Sequence, residues 1–309
     1  MIDLHYLITE YLAYCEYRKR LDTKTLKAYR IDLSQYQTFC QNFTDFLSKD
    51  TVDPYITYLH KQYKPKTTKR KIASLKAFFH YLEYKELLPE NPFARLDIRF
   101  REAKLLPKTI PFHSIQAFLT TLYAQKELAE SSYQIRCCIR DIAVIELLFA
   151  TGMRISELCS LKTESIDLKS SNVLIYGKGA KERILQIGNP AVLKALSLYQ
   201  ETFKEEIAVC GYFFVNRLQH KLSDQSVRFM IDRYAKLAGI EQHITPHMFR
   251  HSFATLLLEQ DVDIRYIQRM LGHSSISTTE IYTHVSNVKQ KEILVKKHPR
   301  NLMVVGGDG

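Results

Sequence analysis

Long apolar stretches are missing from this chain of 309 residues. No run approaches the ~20 consecutive apolar residues that a membrane-spanning helix needs. Residues 1–20 have the pattern of an amphipathic helix, without the apolar core and cleavage site of a secretory signal. These absences argue against a membrane or secreted protein, and we expect a cytoplasmic one.

Regularly spaced cysteine pairs are missing as well. A zinc site or a disulfide framework depends on such spacing, and no two cysteines here form a C-x-x-C pair. Reduced thiols are therefore favoured over zinc ligands or disulfides, and neither a metal nor another cofactor is expected. The six cysteines are Cys15, Cys40, Cys137, Cys138, Cys159 and Cys210.

Acidic residues are outnumbered by basic ones. The chain has 33 Asp and Glu against 44 Lys and Arg, a net charge of +11, and residues 1–101 and 102–309 are each basic. Basic side chains displace the counterions condensed on nucleic acid, so this balance favours DNA or RNA as a partner. A basic protein without such a partner is the alternative.

The hydrophobic pattern predicts two domains and a mainly α fold. Four helical patterns within residues 1–101 predict a helical N-terminal domain, whose third helix should begin near Pro54. Residues 102–111 have the composition of a basic, proline-stiffened linker. Residues 112–309 predict a mixed, mainly α domain with a small sheet, because a β-hairpin pattern over 172–187 interrupts the helical ones.

The fourth helical pattern, over about 67–86, begins with a concentration of polar and basic side chains. Such residues could lie along the phosphates of duplex DNA or in one of its grooves. A solvated helix face with no ligand explains them equally well. The candidate DNA-binding residues are Lys66, Thr67, Lys69, Arg70 and Lys71.

Residues 245–284 carry the most informative pattern in the chain. A helix start is expected at Pro246, after Thr245 as a capping residue. His247 and Arg250 follow three residues apart, a spacing that places both side chains on one face of the helix.

The second part of this stretch predicts a helix end and a new helix. Gly272 should end one helix directly before His273. A capping box over residues 277–280 then predicts a short helix with Tyr282 in its first turns.

These residue types match what a tyrosine needs to attack a phosphodiester. Paired arginines can hold the extra negative charge of the pentavalent transition state. The tyrosine must lose its proton, and a lysine or histidine must protonate the departing 5′-oxygen. Given that arginines hold the charge, no metal is required. The candidate catalytic residues are Arg154, Lys178, His247, Arg250, His273 and Tyr282.

Four stretches in one order resemble a known family. They are Ala150–Leu158 (ATGMRISEL), Gly177–Arg183 (GKGAKER), Pro246–Thr255 (PHMFRHSFAT) and Leu271–His284 (LGHSSISTTEIYTH). The sequence resembles the tyrosine recombinase (phage integrase) family, most closely its Xer-like members. The combined set is far more specific than any single short motif, and the resemblance extends over nearly the whole chain.

The resemblance implies a role for each matched residue. Arg154 and Arg250 would bind the scissile phosphate, and Tyr282 would attack it, giving a 3′-phosphotyrosyl bond and a free 5′-hydroxyl. His247 would exchange a proton with the tyrosine, and His273 would hydrogen-bond the phosphate.

Two further residues have implied roles on the hairpin and beside the first arginine. Lys178, on the hairpin turn, would protonate the leaving oxygen, although Lys181 and Arg183 lie close enough in sequence to contact phosphate instead. Glu157, one helical turn after Arg154, resembles an acid that supports the active site in this family.

The resemblance also implies an architecture and partners. A SAM-like N-terminal domain over 1–101 and a catalytic domain over 112–309 would close around duplex DNA that carries specific sites. Exchange of four strands implies a tetramer, either of this chain alone or shared with a paralogous recombinase. The C-terminal segment, 288–300, would pack against a neighbouring protomer or fold back on its own domain.

Several functions are compatible with this resemblance. Site-specific recombination covers integration, excision, inversion and resolution of chromosome or plasmid dimers. A nicking and resealing enzyme like the type IB topoisomerases would use the same chemistry on one duplex. A DNA-binding architectural protein without catalysis is the non-enzymatic alternative.

Overall fold

A computed structural model of the chain describes residues 3–98, 100, 108–176, 182–272 and 287–303. The chain divides into two compact units, Met1–Leu105 and Leu106–Gly309. Nearly all of the regular structure in both units is helical. The mainly α fold with a small sheet, predicted from the sequence, is confirmed.

The first unit is a bundle of four α-helices around an aromatic core. Asp3 and Asp22 cap the first two helices through side-chain bonds to backbone N–H groups. Tyr11, Tyr36 and Phe78 are fully buried where the helices meet. The helices are α1 (Leu4–Tyr17), α2 (Thr23–Phe39), α3 (Lys49–Gln62) and α4 (Pro65–Tyr84), with 3-10 turns at Cys40–Asn42 and Pro92–Arg95.

The start of α3 differs from the prediction. The helix begins at Lys49 and Pro54 lies inside it, whereas the sequence suggested a start near Pro54. Proline removes one backbone donor and crowds the preceding turn, so it is best tolerated near a helix start. Burial of Val52, Tyr55 and Ile56 offsets that cost and extends the helix on the N-terminal side of the proline.

The second unit consists of helices packed around a small antiparallel sheet. Its longest helix, α6, is nearly all buried in its second half and forms the centre of the core. Its helices are α5 (Phe112–Glu127), α6 (Ser132–Thr151), α7 (Ile155–Cys159), α8 (Pro190–Thr202), α9 (Lys204–Cys210), α10 (Asp224–Leu237), α11 (Pro246–Glu259), α12 (Ile264–Leu271) and α13 (Asn287–Lys297). There are 3-10 turns at Thr163–Ser165 and Pro299–Leu302.

The sheet has the order β1–β2–β3, with strands β1 (Ile166–Asp167), β2 (Asn172–Tyr176) and β3 (Glu182–Gln186). Strands β2 and β3 form the predicted hairpin, and Ile175 pairs with Arg183 in its register. Val173 and Leu185 point into the core as a second pair. The short β1 was not predicted, because two residues are too few to give an alternating pattern.

The structure also defines helix boundaries in the second unit. The helices α8 and α9 follow one another directly and are separated at Phe203. The predicted start at Pro246 is confirmed, but Thr245 makes no side-chain cap bond there. Ser223 does cap α10, by accepting from the N–H of Ser226.

The C-terminal segment folds back on its own unit, which was one of the two alternatives. Leu294 of α13 is buried, and an added Cβ at Gly188 would lie 2.7 Å from its backbone. Only glycine therefore allows α13 to pack this closely on the chain after β3. None of the helices in the described parts of either unit is long and apolar enough to cross a membrane.

Candidate active site

Arg154 and Glu157 are placed together by the first turn of α7. Arg154 is the N-cap residue, and its backbone N–H donates to Glu157 Oε2 at 2.8 Å. The Arg154 Nη1 group donates to Glu157 Oε1, also at 2.8 Å. The Arg154 side chain is 37% exposed and that of Glu157 only 6%. The carboxylate therefore holds an arginine that still faces solvent.

Arg183 of β3 contacts the same carboxylate from the sheet. Its Nη1 and Nη2 groups donate to Oε1 and Oε2 of Glu157 at 3.0 and 2.8 Å, the paired geometry that makes such bonds strong. Its Nε group donates to the carbonyl oxygen of Met270 at 3.1 Å. Burial alone would raise the pKa of Glu157, but the bonds from Arg183 and Arg154 outweigh burial and lower it. Glu157 is therefore an ionised anchor for two arginines at neutral pH.

Arg250, on α11, is the buried member of the arginine pair and is 5% exposed. Its Nη1 group donates to the Gly152 carbonyl oxygen at 2.8 Å, and its Nη2 group to that of Leu271 at 2.5 Å. Both acceptors are neutral, so they orient the guanidinium without neutralising its charge. Burial and then the positive charge of Arg154 lower the Arg250 pKa to about 10.

Gly152 allows this arrangement between α6 and α7. It ends α6 with φ +59°, a conformation that side chains of L-residues rarely adopt. An added Cβ would lie 2.6 Å from Phe253 Cδ1 and 2.9 Å from Leu271 Cδ2. The glycine lets the chain turn against α11 and presents its carbonyl to Arg250.

His247 lies one helical turn before Arg250 on α11, as its spacing predicted, and is exposed. Its neighbour His251 is half-buried. Burial, followed by the charge of His247 and then of Arg250, lowers the pKa of His251. The start of α11 thus presents imidazole groups beside the buried arginine.

Together these groups form a positively charged centre with one carboxylate inside it. Arg154 and Arg183 both lower the pKa of Glu157. Their positive charges also lower the pKa of Arg250. A site that keeps a guanidinium buried at reduced pKa is suited to bind an anion, because the anion relieves the repulsion among the arginines. Within the described residues, no three His, Cys, Asp or Glu side chains converge to hold a metal ion.

Three of the residues predicted to be catalytic lie outside the described ones. They are Lys178, His273 and Tyr282, within 177–181 and 273–286. The described segment before this gap ends at Gly272, which ends α12 as the sequence predicted and has a left-handed conformation. The carbonyl oxygen of Leu271, the residue before it, accepts a hydrogen bond from Arg250.

The candidate DNA-binding residues of α4 do not share one environment. Lys66, Lys69 and Arg70 are exposed, and Thr67 is half-buried. Lys71, also predicted as a DNA contact, differs from the others because it is 4% exposed, and α4 turns it towards the bundle.

A buried carboxylate explains where Lys71 points. Its ammonium donates to Asp32 Oδ1 at 3.0 Å, and Arg70 and Ser74 also bond this carboxylate. Asp32 is itself 3% exposed. The pattern of α4 alone could not show this, because the partner comes from α2, nearly forty residues earlier.

Sequence reasoning also assigned Arg183 differently. It was offered as a substitute phosphate contact for Lys178, whereas its described bonds are to Glu157 and the Met270 carbonyl. The alternation of β3 does indicate which side chains face inward. It gives no indication that the inward partner is a carboxylate 26 positions away.

Two family models match the chain. The model described as the phage integrase family matches residues 121–289. The model described as the phage integrase N-terminal SAM-like domain matches residues 8–86.

Curated relatives match over almost their full length. A tyrosine recombinase of Agathobacter rectalis is 56% identical over 301 residues, which are 97% of this chain and 98% of the relative. The tyrosine recombinase XerD of Staphylococcus saprophyticus is 35% identical over 302 residues, 95% of this chain and 99% of the relative.

A solved structure shares the fold. The XerH site-specific recombinase bound to a palindromic difH substrate, in a post-cleavage complex, has a TM-score of 0.70. The match covers 90% of this chain and 81% of that one at 22% identity.

Proposed function

This chain belongs to the phage integrase family and is a tyrosine recombinase, and from that premise we propose how its residues cut and rejoin DNA. Arg154 and Arg250 bind the scissile phosphate, with Tyr282 as the nucleophile. The observation that carries this proposal is the pair of oriented arginines. Two carbonyl oxygens orient the buried Arg250, and Glu157 holds Arg154.

The arginine pair favours the transition state over the ground state. Attack on the phosphorus makes a pentavalent centre that carries more negative charge on its non-bridging oxygens. Donors that are already oriented stabilise that charge without having to reorganise, and each is typically worth about 10²–10³ in rate. The bonds of Arg154 and Arg250 to the protein supply this orientation.

The remaining roles complete a balanced reaction. The Tyr282 oxygen attacks the phosphorus and its proton passes to His247, while His273 hydrogen-bonds the phosphate. The bond to the 5′-oxygen breaks, and Lys178 supplies the proton that makes it a hydroxyl. A 3′-phosphotyrosyl bond results. Attack by the 5′-hydroxyl of a second strand then releases the tyrosine and joins the new strand.

The substrate is duplex DNA with specific sites, and the active assembly is a tetramer on two duplexes. Exchange of four strands through a Holliday junction needs four nucleophiles, one per chain. The tetramer contains this chain alone or includes a paralogous recombinase. Since the substrate is the DNA of the cell, we place the protein in the cytoplasm.

The first unit supplies DNA affinity in this proposal. Lys66 and Lys69 are exposed at the start of α4, where they can neutralise backbone phosphates. Arg70 pairs with Asp32 but keeps a side chain that is 46% exposed and can also face a phosphate. Thr67 adds a hydroxyl beside them. Lys71 is assigned to the Asp32 ion pair instead.

Two duplexes that carry the cognate site test recombination against nicking and resealing. We expect joint molecules and Holliday junctions when the protein is given two such duplexes. Relaxation of a supercoiled plasmid without any joint molecule would support the topoisomerase-like alternative. Stable binding with neither activity would support the architectural one.

A further inference from the structure

Two lysines in the catalytic unit share one tyrosine ring. The Lys162 ammonium lies 3.8 Å from the centroid of the Tyr212 ring, and that of Lys221 lies 5.1 Å from it. An aromatic face attracts a cation and restricts a flexible side chain. The ring therefore restrains two ammonium groups, that of the half-buried Lys162 and that of the exposed Lys221.

Isolated backbone bridges fix the segments that carry these residues. Lys162 and Tyr212 pair in an antiparallel bridge, and so do Val215 and Lys221. The N–H of Phe213 donates to the Leu161 carbonyl at 2.8 Å. The lysine–tyrosine–lysine cluster (Lys162, Tyr212 and Lys221) is thus built on paired backbone rather than on a loose loop.

The charge of this cluster is not balanced within the described chain. No described carboxylate lies at ion-pair distance from either ammonium, and the hydrogen bond of Lys221 is to the neutral Ser160 hydroxyl at 2.8 Å. Asp224 begins α10 nearby and, with Lys221, influences the Cys159 thiol. Two neighbouring cations repel each other unless an anion lies between or beside them.

The cluster and Arg154 are connected through the two ends of α7. Arg154 is the N-cap of α7 and Ser160, whose hydroxyl Lys221 contacts, is its C-cap, so a rise of 1.5 Å per residue puts about 9 Å between the backbones of the two caps. Phosphates of one DNA strand recur about every 3.4 Å along the duplex axis. The backbone distance between the two ends of α7 thus corresponds to about three such steps along one strand.

We propose that Lys162, Tyr212 and Lys221 form a second phosphate-binding site, which holds the DNA backbone close to the cleaved phosphate. The inference rests on the proposed function, since it takes Arg154 as a ligand of the scissile phosphate. The two ammonium groups contact the phosphate oxygens, and the tyrosine ring keeps them apart and oriented. The site positions the strand and takes no part in bond making.

The salt dependence of DNA binding tests the site. Lys162→Ala with Lys221→Ala should reduce the slope of log affinity against log salt by about 2, since each lost phosphate contact removes about 0.9. The matched control is Lys194→Ala with Lys204→Ala, two exposed lysines of the same unit on α8 and α9. An equal slope in the test and control pairs would overturn the proposal.

Tyr212 variants and neutral phosphates locate the contact. Tyr212→Leu should weaken binding in the same direction, whereas Tyr212→Phe, which keeps the ring, should not. A methylphosphonate at one position within about three nucleotides of the cut should weaken wild-type binding but not binding by the double lysine variant. If no such position distinguishes the two proteins, the assignment is wrong.

A covalent trapping assay separates this inference from the proposed function. Wild-type protein that forms an adduct on a nicked duplex supports the function, and a changed salt slope in the double variant supports the second site. Absence of any wild-type adduct would count against the function itself. An adduct together with an unchanged slope would count against the second site alone.

Discussion

At the scale of single residues, the site depends on how its charges are held. Arg154 has one carboxylate partner in Glu157 and remains more than a third exposed. Arg250 is buried on carbonyl oxygens, at a pKa lowered to about 10 by burial and Arg154. Arg250 therefore stays cationic at neutral pH, and both side chains are oriented by the protein itself.

Replacing Arg154 should separate catalysis from binding. For Arg154→Ala we expect cleavage of a cognate duplex to fall about 10²–10³-fold, with less than about a 10-fold loss of affinity, because many other phosphate contacts remain. Single-turnover cleavage and equilibrium binding measure the two effects. Arg217→Ala, at an exposed arginine of the same unit, is the control. Equal losses of cleavage and binding would refute the assignment.

Glu157 should act as a positioning residue for Arg154. In Glu157→Gln the two arginines lose a shared carboxylate, and we expect about 2 kcal/mol less stability, as for lost bonds to a charged group. Cleavage should slow while affinity stays near that of the wild type. Glu164→Gln, at an exposed acid of the same unit, should change neither. Unaltered cleavage in Glu157→Gln would contradict the role.

The pH dependence of Glu157 provides a second readout. Its folded pKa lies below the ordinary value of 4.5, so its contribution is complete above pH 4.5. That contribution is lost as the pH falls through the lowered pKa. Urea unfolding should show this acid-side loss in the wild type and a smaller one in Glu157→Gln.

Sequence reasoning worked best where a residue's neighbours are local. The spacing of His247 and Arg250 placed both on one helix face, and Glu157 was expected one turn after Arg154, where the structure has it. It worked least well where the partner is distant, as for Arg183. An ion pair between strand and helix depends on the packing of the whole unit.

At the scale of elements, α4 combines two faces that its sequence does not distinguish. Lys66 and Lys69 are exposed, whereas Lys71 is buried on Asp32 of α2 and its ammonium lies 4.7 Å from the Tyr63 ring centroid. A run of basic residues indicates a surface only when each position is mapped onto the helix. The buried aspartate reverses the interpretation of one of them.

Variants of α4 should separate stability from DNA affinity. Lys71→Met should destabilise the first unit by about 2 kcal/mol, because it removes a hydrogen bond to a buried charged group that Arg70 and Ser74 still contact. Lys66→Ala with Lys69→Ala should lower DNA affinity and leave unfolding unchanged. Urea unfolding and a binding titration measure both. A loss of affinity without loss of stability in Lys71→Met would restore Lys71 as a DNA contact.

The C-terminal 3-10 turn is tied to α6 by buried polar groups. Arg300 Nε donates to Glu146 Oε1 at 3.1 Å, and both side chains are almost fully buried. His298 lies 3.0 Å from the Ala150 carbonyl through Nε2, and its Nδ1 accepts the N–H of Arg300. These bonds secure the end of α6 directly before Gly152.

His298 makes this anchor sensitive to acid. Burial lowers its pKa from 6.5 to about 4, so the unfolded chain binds more protons between these values. Stability should fall as the pH drops from 6.5 towards 4, by an amount on the order of 3 kcal/mol. His298→Gln should flatten this part of a stability profile measured by urea unfolding. Identical profiles for the two proteins would show that His298 does not titrate there.

At the scale of the whole molecule, the net charge of +11 and two basic parts suit a polyanion. Composition alone indicated nucleic acid and could not indicate chemistry. The four motifs, taken in their order, did indicate the chemistry, because each contains a residue that phosphoryl transfer requires. The structure adds the bonds that orient the two arginines.

The most direct test of the central claim is covalent trapping on a nicked suicide duplex, in which the cleaved fragment diffuses away. Wild-type protein should form an adduct that withstands denaturation and is linked at the 3′-phosphate. Tyr282→Phe should form none while still binding the duplex, and peptide mapping should place the nucleotide on Tyr282. An equal adduct with Tyr282→Phe, or none with wild-type protein on its cognate site, would contradict the account.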